Sequence, residues 1–333
     1  MILHPPVVAL LVGSLLTSFM LVLCAWHSVR ILRHWNLASG SERQLGLERR
    51  TYLISTVMSY ACGLEVVSLF LFIYTADDLA PLFVGAMCAA GTLNVNGWGY
   101  PTLILKLGAA ILAGAWLLLN RADNRGPDYP LIRKKYASLL VLAPVMLAET
   151  GAQAAFFLEL KPDVITSCCG SLFSAAGPSV SSELASLPSL PMKVAFYGVT
   201  AALLASVIWF VRRAAGGYLV ASLSLLSFVT AIAALISFIS LYVYELPTHH
   251  CPFCLLQKEY HFIGYPLYGL LLVGVIAGLG VGVLHPSRQT ASLRSVLPSM
   301  QRRLSLTALA CFATFALLST YLMLATSFRL EGY

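Results

Sequence analysis

The chain predicts an all-α, polytopic membrane protein with eight transmembrane helices, and three observations carry that expectation. Hydrophobic residues fill 59% of the 333 positions and charged residues only 11%, whereas soluble domains cover their surface with about 25% charged residues. Apolar runs of about 20 residues, the length that crosses a bilayer core, recur along the chain. Basic residues gather on alternate connections between those runs, which is how Lys and Arg set membrane orientation.

The runs lie at about 6–26, 51–75, 101–120, 137–158, 192–211, 218–244, 262–284 and 304–326, each long enough to span. The first has no basic segment before it and no small-residue cleavage site after it, so it reads as a retained helix and not as a signal peptide. Leu21-Val22-Leu23-Cys24 is a poor lipoprotein box. The seventh run carries Gly274, Gly278 and Gly282, a small-xxx-small spacing that lets helix backbones approach closely.

Arg30, Arg33, Arg43, Arg49 and Arg50 fill the first connection; Arg121, Arg125, Arg133, Lys134 and Lys135 the third. Arg212 and Arg213 fill the fifth; Arg288, Arg294, Arg302 and Arg303 the seventh. These are sixteen of the 21 Lys and Arg. The other side holds only Lys106, Lys161, Lys193, Lys258 and Arg329. The rule therefore predicts those four connections to be cytoplasmic and both termini to be periplasmic, in a bacterial inner membrane. The net charge of +7 is accounted for by these flanks and does not point to nucleic acid.

Short polar landmarks recur with a period near 165 residues. Tyr52-Leu53-Ile54-Ser55-Thr56 opens the second run and Tyr218-Leu219-Val220-Ala221-Ser222 the sixth. Gly99-Tyr100-Pro101 and Gly264-Tyr265-Pro266 open the third and seventh. An even number of spans per repeat keeps both copies in the same orientation, so the repeat is expected to be parallel. The domain reading is a four-helix repeat over 1–165, an external linker over 166–191 and a second four-helix repeat over 192–333.

Eight cysteines are present. Cys24, Cys62 and Cys311 lie inside runs, where cysteine usually acts as a small hydrophobe. The other five, Cys88, Cys168, Cys169, Cys251 and Cys254, share the side opposite the basic connections, which in a bacterial inner membrane faces an oxidising compartment. The densest signal is His249-His250-Cys251-Pro252-Phe253-Cys254-Leu255-Leu256-Gln257-Lys258. A Cys-x-x-Cys can cycle between dithiol and disulfide. If it stands at the outer end of the seventh helix, backbone N–H groups there would favour a thiolate. No His follows Cys254, which excludes c-type haem attachment.

Cys251-Pro252-Phe253-Cys254-Leu255-Leu256-Gln257-Lys258 resembles the Cys-Pro-Leu-Cys-x-x-Gln-Arg stretch of the DsbB family, quinone-linked enzymes that reoxidise a periplasmic disulfide donor. The VKOR family has a similar placement in a four-helix bundle. The resemblance covers some ten residues. It implies that Cys251 and Cys254 form the quinone-proximal disulfide, with Gln257 and Lys258 near the quinone and a periplasmic thiol protein as partner. Lys258 replaces an arginine and lacks its planar fork; eight spans stand where that family has four. A second cysteine pair has no clear equivalent: Cys168 and Cys169 are adjacent, where a disulfide would be strained, and Cys88 could pair with either if the loops meet.

Metal binding is the competing chemistry, because Met87, Cys88, His249, His250, Cys251 and Cys254 are soft or imidazole ligands suited to Cu(I) or Zn. That reading makes the chain a copper-handling or maturation factor. A third reading makes it a non-catalytic subunit of a membrane complex, with loops braced by disulfides. Glu65, Lys106 and Glu149 are ionisable residues inside runs, which are costly there and often functional. They are expected either to relay protons beside a quinone or to lock the first bundle through an ion pair of Lys106.

Overall fold

A computed structural model describes residues 2–36, 39, 41–166 and 187–330. Among these residues the regular structure is helical throughout, and eight helices are long and apolar enough to cross a membrane. The chain is an all-α polytopic membrane protein. The spanning helices are α1 (Pro5–His34), α2 (Glu42–Asp78), α3 (Gly99–Asp123), α4 (Ile132–Leu158), α5 (Ser189–Arg213), α6 (Gly217–Ala234), α7 (Gly264–Leu284) and α8 (Leu297–Ala325). Each expected run lies almost wholly within one of them, the sixth within α6 and its continuation. α6 continues through a π turn at Leu235–Ile239 into Ser240–Tyr244.

The helices are longer than the apolar runs. With 37 residues, α2 extends about 1.5 Å per residue and so outreaches a hydrocarbon core of about 30 Å. Its first turns carry Glu42, Arg43, Glu48, Arg49 and Arg50. Helix continuation past the apolar run keeps backbone groups paired where side chains turn polar. Both Gly-Tyr-Pro triplets occupy the first turn of a helix, α3 and α7, where proline loses no intrahelical hydrogen bond.

The chain forms two compact units. The first comprises Met1–Thr75, Val95–Lys161 and Pro286–Met300. Within it α4 packs against α1 and α3, around a core that includes Met58, Cys62, Trp116, Tyr136 and Leu139. At one end, the fully buried Lys135 and Asp123 pair at 2.5 Å. The other Asp123 oxygen accepts the Leu131 N–H at 2.8 Å, and Lys135 also donates to Ser55 Oγ at 3.1 Å. A buried charge survives only with such partners, so this pair clamps the α3–α4 connection. Higher in the same bundle Lys106 Nζ meets Glu149 Oε1 at 2.6 Å and donates to Ser68 Oγ at 2.8 Å. The ion pair expected of Lys106 is formed.

The second unit comprises Ala76–Asn94, Pro162–His285 and Gln301–Tyr333. In it α6 packs against both α5 and α7. The glycine stripe of α7 is the reason for the close contact. A Cβ on Gly278 would sit 2.0 Å from Ser224 Oγ, one on Gly282 2.5 Å from Ala221 Cβ, and one on Gly274 3.0 Å from the Phe312 ring. The α5–α6 turn is closed by Ala214 and Gly216 in left-handed conformations.

Candidate functional site: a buried three-cysteine cluster

Cys88, Cys251 and Cys254 converge inside the second unit, with all three sulfurs within 4.8 Å of one another. Cys88 and Cys251 are fully buried and Cys254 is 4% exposed. Cys88 Sγ lies 3.5 Å from Cys251 Sγ, beyond the roughly 2.05 Å of a disulfide but inside the range of a sulfur hydrogen bond.

Local hydrogen bonds explain why the loops hold this shape. The segment between α6 and α7 has no long helix of its own and turns through short 3₁₀ segments at Cys254–Leu256 and Lys258–Tyr260. Tyr244 Oη donates to the Cys251 carbonyl at 2.6 Å and Tyr268 Oη to the Pro252 carbonyl at 2.7 Å. These two tyrosines grip the Cys-x-x-Cys backbone from the end of α6 and the start of α7. Gly264 is required beside them, because a Cβ there would come within 3.0 Å of the Leu255 carbonyl carbon and oxygen.

The Cys88 loop is tied to the same place by Asp77. Its Oδ1 accepts the Ala89 N–H at 3.0 Å and the Gln257 side-chain amide at 3.2 Å. The Gln257 amide also donates to the Met87 carbonyl at 2.7 Å. One carboxylate and one amide thus join the end of α2, the residue before Cys88, the residue after it and the Cys-x-x-Cys segment. From the other side, the Thr166 N–H donates to the Val84 carbonyl at 2.9 Å and Thr166 Oγ1 to the Gly91 carbonyl at 2.9 Å. Gly85, at φ +86°, passes so close to the Thr166 carbonyl that any Cβ would overlap it.

The thiolate expectation needs correction. Cys251-Pro252-Phe253-Cys254 does not sit at the N-terminus of α7, which begins ten positions after Cys254 at Gly264. The Cys251 thiol is pushed well above its ordinary range, first by its hydrogen bond with Cys254 and then by burial, with the hydrogen bond to Cys88 acting in the opposite sense. At rest the Cys251 thiol is held protonated.

The other candidate residues fall in different places. Gln257 spends its amide hydrogens on Asp77 and Met87, a structural clasp; Lys258 is exposed. His249 packs edge-on to Tyr244 at 4.4 Å between ring centroids, and burial followed by the neighbouring His250 lowers its proton affinity. His250 Nδ1 contacts the Ile236 carbonyl at 2.9 Å, in the π turn. The Met87 side chain is 73% exposed. The thiol cluster thus draws on the three cysteines and on neither histidine. Glu65, Lys106 and Glu149 are buried in the first unit. Cys24, Cys62 and Cys311 lie within helices, and Cys168 and Cys169 lie outside the described residues.

Asp77, Tyr244 and Tyr268 were not among the residues the sequence singled out. Asp77 carries a usable signal, since an acid ending an apolar span requires donors. Tyr244 and Tyr268 read as ordinary aromatics of the interfacial belt. No family model, characterised protein or solved structure matches the chain. The class defined by fold and site together is a polytopic membrane protein with a buried thiol cluster.

Proposed function

We propose that the protein is a membrane thiol–disulfide oxidoreductase whose electrons pass from a thiol partner, through Cys88, Cys251 and Cys254, to a membrane quinone. The observation that carries this reading is the 3.5 Å approach of Cys88 Sγ to Cys251 Sγ. Reacting atoms about 3–3.5 Å apart need little further ordering before bond exchange. With Cys251–Cys254 oxidised, the Cys88 sulfur attacks Cys251. The Cys88–Cys251 bond forms, the Cys251–Cys254 bond breaks, and Cys254 leaves as a thiolate that takes up the proton Cys88 gives up. The partner's dithiol then reduces the Cys88–Cys251 bond and becomes a disulfide. The Cys251–Cys254 dithiol passes those two electrons and two protons to one quinone, which becomes the quinol as the disulfide re-forms, a role supported by the short motif resemblance.

A protonated resting thiol is slow to exchange, so turnover requires the cluster to open or to lose a proton. That fits a protein acting on a docked partner and not on free small thiols. The alternation of basic connections supports placement in a bacterial inner membrane with both termini periplasmic, which puts the thiols on the oxidising side. Reporter fusions after Arg50, Lys135 and Lys161 test this. Cytoplasmic signals from the first two and a periplasmic signal from the third are expected, and the reverse pattern overturns it.

The decisive experiment is a redox titration of alkylatable thiols with and without quinone. Quinone-dependent loss of alkylation at Cys251 and Cys254, abolished in Cys254→Ser, supports the assignment. Unchanged thiol oxidation in a Cys251→Ser, Cys254→Ser double variant overturns it.

A second reading rests on the mutual 4.8 Å limit on all three sulfurs. Three thiolates at such separations suit a soft ion such as Cu(I), or Zn. Metal analysis of anaerobically purified protein separates the readings. One equivalent of copper or zinc, lost on substituting any of the three cysteines, puts metal handling in place of exchange.

A further inference from the structure

In the first unit we infer that Glu65 is the proton-binding group of a second, independent site, exchanging its proton through a crevice between α1 and α2. This goes beyond the thiol chemistry and rests on different residues. Glu65 is only 2% exposed, yet its Oε1 atom meets no hydrogen-bond partner. An ionised carboxylate left that way in a membrane is very costly, and the cheap alternative is to hold a proton.

The charged neighbours are already matched. From α3, Lys106 places its ammonium on Glu149 of α4 at 2.6 Å and on Ser68 of α2 at 2.8 Å. One ammonium faces two carboxylates, Glu149 in direct contact and Glu65 nearby, so one of the two acids is left without a counter-charge of its own. On its own helix the nearest ionisable side chain is Cys62, one turn away; α1 presents Ser14 and Thr17.

The route to Glu65 is visible. A crevice of about 110 Å³ lies between the two helices, with Gly13, Ser14 and Thr17 on one wall and Glu65 and Ser68 on the other. Its rim includes Leu64 and Val67, which are 55% and 62% exposed. The lining is mainly apolar, and Ser14, Thr17, Ser68 and Glu65 are the polar groups that a water there would bond. Gly13 keeps the α1 wall low, since a Cβ added there meets nothing within 4 Å. A buried acid, an ion pair beside it and a crevice that reaches its side are the features that support reversible protonation here.

The test uses the full chain in lipid vesicles and N,N′-dicyclohexylcarbodiimide, an apolar reagent whose C=N bond takes up the O–H of a protonated carboxyl to give a stable acylurea. Modification of Glu65 is expected at mildly acidic pH and is expected to fall away as pH rises. Glu149, facing the Lys106 ammonium, stays unmodified. A carboxylic C=O infrared band that shifts in heavy water, and is missing in Glu65→Gln, reports the same proton without chemistry. The inference is overturned if Glu65 resists the reagent at every pH, if Glu149 is modified in its place, or if labelling of Glu65 ignores pH. None of these outcomes depends on the redox state of the cysteines, so they leave the thiol proposal to its own test.

Discussion

Cys88 and Cys251 stand 163 positions apart in the chain and place their sulfurs 3.5 Å apart in the fold. Their meeting depends on hydrogen bonds from residues that carry no sulfur, chiefly Asp77, Gln257, Tyr244 and Tyr268. The geometry can therefore be tested by changing either the sulfurs or their supports.

Mild oxidation of the purified protein should create a Cys88–Cys251 cross-link. We expect Cys254→Ser to raise its yield, because the competing Cys251–Cys254 bond is removed, and Cys24→Ser, Cys62→Ser and Cys311→Ser to leave it unchanged. Peptide mapping under non-reducing conditions reads the result. Failure to trap that pair in Cys254→Ser would show that the approach is not sampled in the membrane.

Asp77→Ala should loosen the cluster without touching a cysteine. Hydrogen bonds to a charged group contribute about 1.5–3 kcal/mol each, and Asp77 accepts two. Alkylation of Cys88 and Cys251 should accelerate on the order of tenfold or more, as a loss of about 1.4 kcal/mol is a factor of ten. Asp77→Asn keeps one carbonyl oxygen as acceptor and should recover part of the protection. Equal rates in all three proteins would remove Asp77 from the account.

The Lys135–Asp123 pair makes a stability prediction. Removing one partner of a buried ion pair costs about 3–5 kcal/mol, whereas replacing both by apolar groups can be close to neutral. Asp123→Ala should therefore lower the unfolding midpoint in detergent markedly, and Lys135→Met combined with Asp123→Leu should recover much of it. A double variant as unstable as the sum of its singles would contradict the pairing.

Two loop groups give opposite pH windows. His249 has its proton affinity lowered from the ordinary 6.5 by burial and by His250. In the acid range the unfolded chain binds this proton more readily than the folded one, so its contribution to stability is present above that value and is lost as pH falls. Cys251 is shifted upward from 9.0. There the unfolded thiol ionises first, and the contribution is complete below 9.0 and declines as pH rises beyond it. The loop should be best protected between the two, and His249→Phe should flatten only the acid limb in a pH series of Cys251 alkylation rates. An unaltered acid limb would assign it to another group.

Much of the fold was legible from residue type alone. Lipid accepts only backbone that satisfies its own hydrogen bonds, so an apolar run of sufficient length has little choice but to be a helix. That one constraint located eight spans. The glycine spacing of α7 was readable for a similar reason: absence of a side chain is a local property, and Ser224 and Ala221 fill the space that Gly278 and Gly282 leave. Helix ends were less legible, as α2 shows by running on through its charged first turns.

The candidate site divides along the same line. Cys251 and Cys254 are the two ends of one four-residue motif, and their chemistry could be read directly, as could the cost of placing Glu65, Lys106 and Glu149 in lipid. The choice of Cys88 as the third sulfur, the exclusion of His249 and His250, and the turning of Gln257 into a clasp were settled only by tertiary contacts. So was the displacement of the cysteines from the first turn of α7 to a place where the hydrogen bond with Cys254 and then burial favour the protonated Cys251 thiol. Solvent imposes itself on every residue separately and so writes the spans into the sequence. Loop hydrogen bonds are short-ranged and directional, so which sulfur meets which is decided by where Asp77, Tyr244 and Tyr268 arrive once the helices have packed.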